Sequence, residues 1–185
     1  MSVAAYRERI SEVLSRIWET QTANIEKASA VMGDCISRGG LVHLFGSGHS
    51  VLPVQDMFPR YGAFPGFRPL MDMRLMWTNV IGSGGAKGLL WLERREGYAS
   101  VLFENEPIRS GDVMLVFSHG GLNAAGIEVL QEAKKRGLAT VAITSTSEPR
   151  SVRLRFVAPT DVEAAFGLAA EVGRLIYGLR NSLAG

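Results

Sequence analysis

Apolar residues in the first forty positions recur at intervals of three and four: Ile10, Val13, Leu14, Ile17 and Trp18, then Ile25, Ala28, Val31, Met32 and Ile36. That is the period of one helix face. Only Gly33 interrupts residues 3–38, so the pattern predicts one long helix, or two broken near residues 20–23, stopped by Gly39-Gly40. The period then changes. LVHLFG (41–46) is a continuous apolar run bounded by glycine, the pattern of a strand buried on both faces of a parallel sheet. DVMLVFS (112–118) and ATVAITS (139–145) read the same way, and RLRFVA (153–158) is a further candidate strand. Between them the spacing predicts helices over 50–61, 92–104 and the amphipathic segment 123–136, stopped by Gly137. Two prolines make 62–70 an edge strand or extended loop. Residues 73–90 carry a Met/Leu/Trp patch and a Gly-Ser-Gly-Gly run that predicts a loop. A small-residue helix closes the chain from near Thr160.

Strands alternating with helices define an α/β class: a three-layer, doubly wound parallel sheet of about five strands with helices on both faces, in a flavodoxin-like topology. We read residues 1–185 as one domain. It has a helical segment over 1–40, an α/β core over 41–158 and a C-terminal helix over 159–185. The length of 185 residues is ample for such a core.

Composition narrows the picture. Twenty Lys+Arg against 18 Asp+Glu give a net charge of +2, with no basic field that would call for nucleic acid or an anionic membrane. Cys35 is the sole cysteine, which removes a disulfide framework and a paired-cysteine metal site. The start, MSVAAYRERISEVL, has acidic residues and no long apolar stretch, unlike a signal peptide. No apolar run approaches the ~20 residues of a membrane span. A cytoplasmic protein is expected. The lead and final helices carry more apolar surface than one small sheet needs. With Trp18, Met73, Leu75, Met76 and Trp77 they predict a homodimer or homotetramer.

Three strands end in glycine- and hydroxyl-rich turns: Gly46-Ser47-Gly48-His49-Ser50, Ser118-His119-Gly120-Gly121-Leu122-Asn123 and Thr144-Ser145-Thr146-Ser147. In an open α/β sheet these turns share the carboxyl edge, where ligands bind. Glycines let backbone approach a ligand, and a following helix N-terminus offers unpaired N–H groups. Such turns cradle an anion, and a phosphate monoester is the natural guest. A dinucleotide site fits less well, because GSGHSV puts Val51 where the third glycine should stand. No Gly-Lys-Ser/Thr loop occurs. His43 reads as a packed strand residue, whereas His49 and His119 sit in the cradle as substrate contacts or acid–base groups.

Residues 41–145 resemble the SIS (sugar isomerase) domain of phosphoheptose isomerase and of the isomerase half of glucosamine-6-phosphate synthase. The likeness runs through HLFGSGHS, MFPRYGAFPGFRPLMD and the stretch from LERREGYASVL to VAITS, and the lead helix ending ETQTANIEKAS also fits. The resemblance implies a sugar-phosphate site using Ser47 and Ser50, Ser118 and Asn123, and Thr144 and Ser145. Gly46, Gly48, His119, Gly120 and Gly121 would contribute backbone or imidazole contacts. Related second turns read Ser-x-Ser-Gly; here the run is Ser118-His119-Gly120-Gly121, one hydroxyl fewer. The implied reaction is aldose–ketose isomerisation without a metal or other cofactor. It needs a base between C1 and C2 and an acid to open the ring. Glu128 or Asp56 is the expected base and His49 the ring-opening acid. The alternatives are a non-catalytic sugar-phosphate sensor and, behind it, a nucleotide-binding protein.

Overall fold

The computed structural model describes residues 2–57, 61–62, 65–76, 85–104, 106–145 and 163–164. Its first element, α1 (Val3–Ser37), is one uninterrupted helix of 35 residues, with no break at 20–23. Ser2 starts it, accepting the Ala5 amide on its hydroxyl at 3.2 Å. The strand β1 (Val42–Gly46) follows, buried along its whole length. A single 3-10 turn over His49–Val51 leads into the short α2 (Leu52–Met57). Then come the edge strand β2 (Phe67–Pro69), α3 (Gly85–Leu92), α4 (Ala99–Glu104), β3 (Val113–Ser118), α5 (Ala124–Lys135), β4 (Ala139–Thr144) and the two-residue β5 (Glu163–Ala164).

Three expectations change here. Residues 85–90, expected as part of a loop, form most of α3. Of the helix predicted over 92–104, only Leu92 belongs to α3 and only Ala99–Glu104 to α4. Within the segment expected to be the last helix, Glu163 and Ala164 instead pair with β4. The rest of that segment, the strand predicted over 153–158 and most of the glycine-rich loop (77–84) lie outside the described residues.

The sheet runs β2-β1-β3-β4-β5 and every pairing is parallel. Side chains alternate across it. Phe45, Met114, Val116 and Ala142 point to one face, against Ala99 and Phe103 of α4 and Ala125, Val129, Leu130 and Ala133 of α5. Val42, Leu44, Val113, Leu115, Phe117 and Val141 point to the other, against Ala28 and Cys35 of α1 and Val54 of α2. Continuous apolar strands are what this double covering requires. Of the residues expected in an exposed apolar patch, Trp18 and Met73 are 64% and 63% exposed, but Leu75 is fully buried beneath its 3-10 turn. Trp77 lies outside the described residues.

Chain order reverses between β1 and β3, with β2 on one side and β4 on the other. Such a switch point leaves a crevice at the carboxyl ends of the two strands. Register sets Gly46 beside Phe117 and Ser118 beside Thr144, so the turns after β1 and β3 leave the sheet at the same level.

Candidate active site

A cavity of about 260 Å3 opens at this switch point, lined by Ser47, Gly48, His49 and Ser50 from the first turn and Ser118, His119, Gly120, Leu122 and Asn123 from the second. Leu89 and Leu90 of α3 and Glu93, the residue just past its end, close it. The first turn folds back tightly: a methyl group on Gly46 would fall on the Ser50 carbonyl. Gly48 holds φ at +58°, a region that side chains disfavour. Its amide donates to the Leu75 carbonyl at 2.8 Å, which ties the turn to the segment after β2.

The three hydroxyls of the cavity have different partners. Ser50 Oγ accepts the His119 amide at 3.4 Å, and Ser118 Oγ accepts the Gly121 amide at 3.2 Å. Each of these leaves its own proton for a further acceptor. Ser47 Oγ instead donates to Glu93 Oε2 at 3.1 Å. Asn123 stands at the N-cap of α5 without making the capping bond; its side chain lies toward the Glu93 carboxylate and favours the ionised form. The backbone joins in, since the Ala125 amide donates to the Glu93 carbonyl at 3.0 Å.

Glu93 is 5% exposed. Burial pushes its carboxyl above its ordinary value, and the bond from Ser47, the Arg94 charge and the Asn123 amide only partly oppose this. No Lys or Arg stands among the described residues lining the cavity. An anion would therefore rest on hydroxyls, turn amides, the two imidazoles and the N-terminus of α5. His49 and His119 are both exposed on the rim.

The expected residues thus separate into two groups. Ser47, Gly48, His49, Ser50, Ser118, His119, Gly120 and Asn123 meet in the cavity wall. Gly46 and Gly121 shape the two turns behind it. The third turn does not join them within the described residues. Thr144 is buried with its hydroxyl unpartnered there, and the Ser145 amide is spent on the His119 carbonyl. Thr144 is the last residue of β4, and Ser145 follows it directly. Neither expected base reaches the cavity wall. Glu128 is turned toward α4, where it accepts the Gly97 amide at 2.7 Å and the Ala99 amide at 3.3 Å. Asp56 is exposed on α2, whose buried side is taken by Val54.

Glu93 was not expected. Its signal was local: in LLWLERREG it follows Leu89 by four residues, so a carboxylate continues the buried face of α3.

A SIS domain model matches residues 5–145. The chain belongs to the SIS domain family. As such a domain it is 31% identical over 150 residues to a UPF0309 protein of Oceanobacillus iheyensis and 33% identical over 143 residues to one of Listeria innocua. Those alignments take in 81% and 77% of this chain but 59% and 56% of the relatives, so the chain spans less than two thirds of their length. Among solved structures, phosphoheptose isomerases from Neisseria gonorrhoeae and Francisella tularensis share the SIS fold. Their TM-scores are 0.63 and 0.62 at 21% and 17% identity, covering 88% of this chain and 83% of theirs. Among the described residues no helix is long and apolar enough to cross a membrane.

Proposed function

We propose that this SIS domain binds a phosphorylated sugar in the switch-point cavity and interconverts its aldose and ketose forms, with Glu93 moving the proton. The observation that carries the reading is a buried carboxylate facing a cation-free cradle of hydroxyls and turn amides. The phosphate sits against Ser50, Ser118 and the start of α5. The Glu93 carboxylate takes the C2 proton while the C1 carbonyl oxygen takes up a proton to give the enediol. Glu93 then returns its proton to C1 as the C2 hydroxyl releases its own, which replaces the one taken up at O1, and C2 becomes the carbonyl. Nothing is gained or lost overall. A carboxyl raised above its ordinary value suits a group that must both accept and return a proton. His49, on the rim, is the ring-opening acid. The isomerase names of the structural neighbours agree with this chemistry.

The test is exchange of the C2 hydrogen of hexose and heptose phosphates in deuterated water, followed by NMR. The wild type washes label in. Glu93→Gln loses at least a hundredfold in rate while its affinity for the same ligand stays within a few-fold. Because burial disfavours the ionised carboxyl, Glu93 lowers stability as pH rises through its raised folded value. The Gln variant therefore melts no lower than wild type at pH 8. A wild type that binds these ligands without exchanging label is a sensor.

A further inference from the structure

We propose that Ser47 is a positioning residue for Glu93 and not a ligand of the anion. This rests on the isomerase reading of the same cavity and assigns one of its hydroxyls a different task. A hydroxyl has a single proton. Ser50 and Ser118 are each held by an amide that they accept, so their protons remain for a phosphate oxygen. The proton of Ser47 goes to Glu93 Oε2 across 3.1 Å. Gly48, the next residue, packs against the same carboxylate: a methyl group on it would lie 3.7 Å from Glu93 Oε2. The first turn therefore presents two unlike ends to the cavity. Ser50 faces the anion, and Ser47 fixes the carboxylate that does the chemistry.

The other groups around Glu93 do not duplicate this bond. Asn123 approaches from the start of α5, Arg94 is its chain neighbour, and His49 and His119 stand on the rim after β1 and β3. Leu89 and Leu90 of α3 carry no charge. Without Ser47 the carboxylate loses a donor to its ionised form, so it holds its proton to higher pH.

The experiment compares wild type, Ser47→Ala, Ser47→Thr and Ser118→Ala. The Glu93 carboxyl is followed by NMR titration with carbon-13-labelled glutamate, its signal identified by its loss in Glu93→Gln. In Ser47→Ala the Glu93 titration moves to higher pH, and Ser47→Thr brings it back. The acid limb of the exchange-rate profile moves in the same direction. Affinity for a hexose phosphate stays within twofold in Ser47→Ala and falls at least tenfold in Ser118→Ala. An unmoved titration in Ser47→Ala, or a tenfold loss of affinity there, overturns the assignment. A wild type that neither binds nor exchanges any sugar phosphate, while the titration still moves, removes the isomerase reading. In that case the Ser47–Glu93 coupling stands by itself.

Discussion

Gly46 has no room for a side chain: the Ser50 carbonyl occupies the space that a Cβ would take. Such an overlap with backbone is relieved only by moving the turn, and the turn carries Ser47, Gly48 and Ser50 into the cavity. Gly46→Ala is expected to destabilise the fold by about 3 kcal/mol or more, read as a lowered urea midpoint. It also weakens ligand binding. Glu93 presents the opposite case. It is a buried ionisable group that costs stability, and its bond to Ser47 and the nearby Asn123 and Arg94 offset that only in part. Residues kept against their own stability mark functional sites more often than structural ones. In sequence, Gly46 was legible because a glycine at a strand end has few other reasons to be there. Glu93 was not, because its partner Ser47 lies 46 residues away.

At the scale of elements, the split between α3 and α4 explains the fate of Glu128. A six-residue helix cannot supply its own stability, and the first amides of α4 need acceptors. Glu128 reaches across from α5 and accepts two amides at that end, from Gly97 and Ala99. A carboxylate at a helix N-terminus is favourably placed against the helix dipole as well. Glu128→Ala is therefore expected to cost about 1–2 kcal/mol, seen as a lower melting temperature. The rate of label exchange per folded molecule is unchanged. The reverse outcome, lost exchange with an unchanged melt, would return Glu128 to the role of base. Apolar periodicity located α5 to within a residue at each end, yet it could not say which polar residue of that helix faces another element. Periodicity also placed one helix over 92–104, where only Ala99–Glu104 is helical beyond Leu92, and it missed α3, which starts after a run of glycines.

Across the whole molecule, the end of the sheet opposite the cavity is closed by a buried pair. His43 Nε2 and Asp112 Oδ2 lie 2.8 Å apart, joining β1 to the residue before β3. Asp112 also accepts the Leu41 amide at 3.0 Å and the Arg109 amide at 3.0 Å. Burial alone would raise its carboxyl, but the bonds from His43, Leu41 and Arg109 outweigh it and hold the group below its ordinary value. A depressed carboxyl contributes stability above the unfolded value of about 3.9. That contribution is lost as pH falls through the lower folded value. Asp112→Asn is expected to cost about 3 kcal/mol at pH 7, since it leaves His43 and an amide without their acceptor. The gap between variant and wild type in urea unfolding narrows below about pH 4, where the carboxyl of the unfolded chain takes up its proton while the folded one is still ionised. From the residues alone, hydrophobic period and turn chemistry settled the α/β class, the strand cores and the edge at which a ligand could be held. Those features depend on neighbours a few positions apart, which a linear chain displays directly. Only the folded chain decided where each carboxylate goes. In sequence Glu93, Glu128 and Asp56 are alike as acids in predicted helices, until packing sends one into a cavity, one onto a neighbouring helix and one to the exposed side of α2.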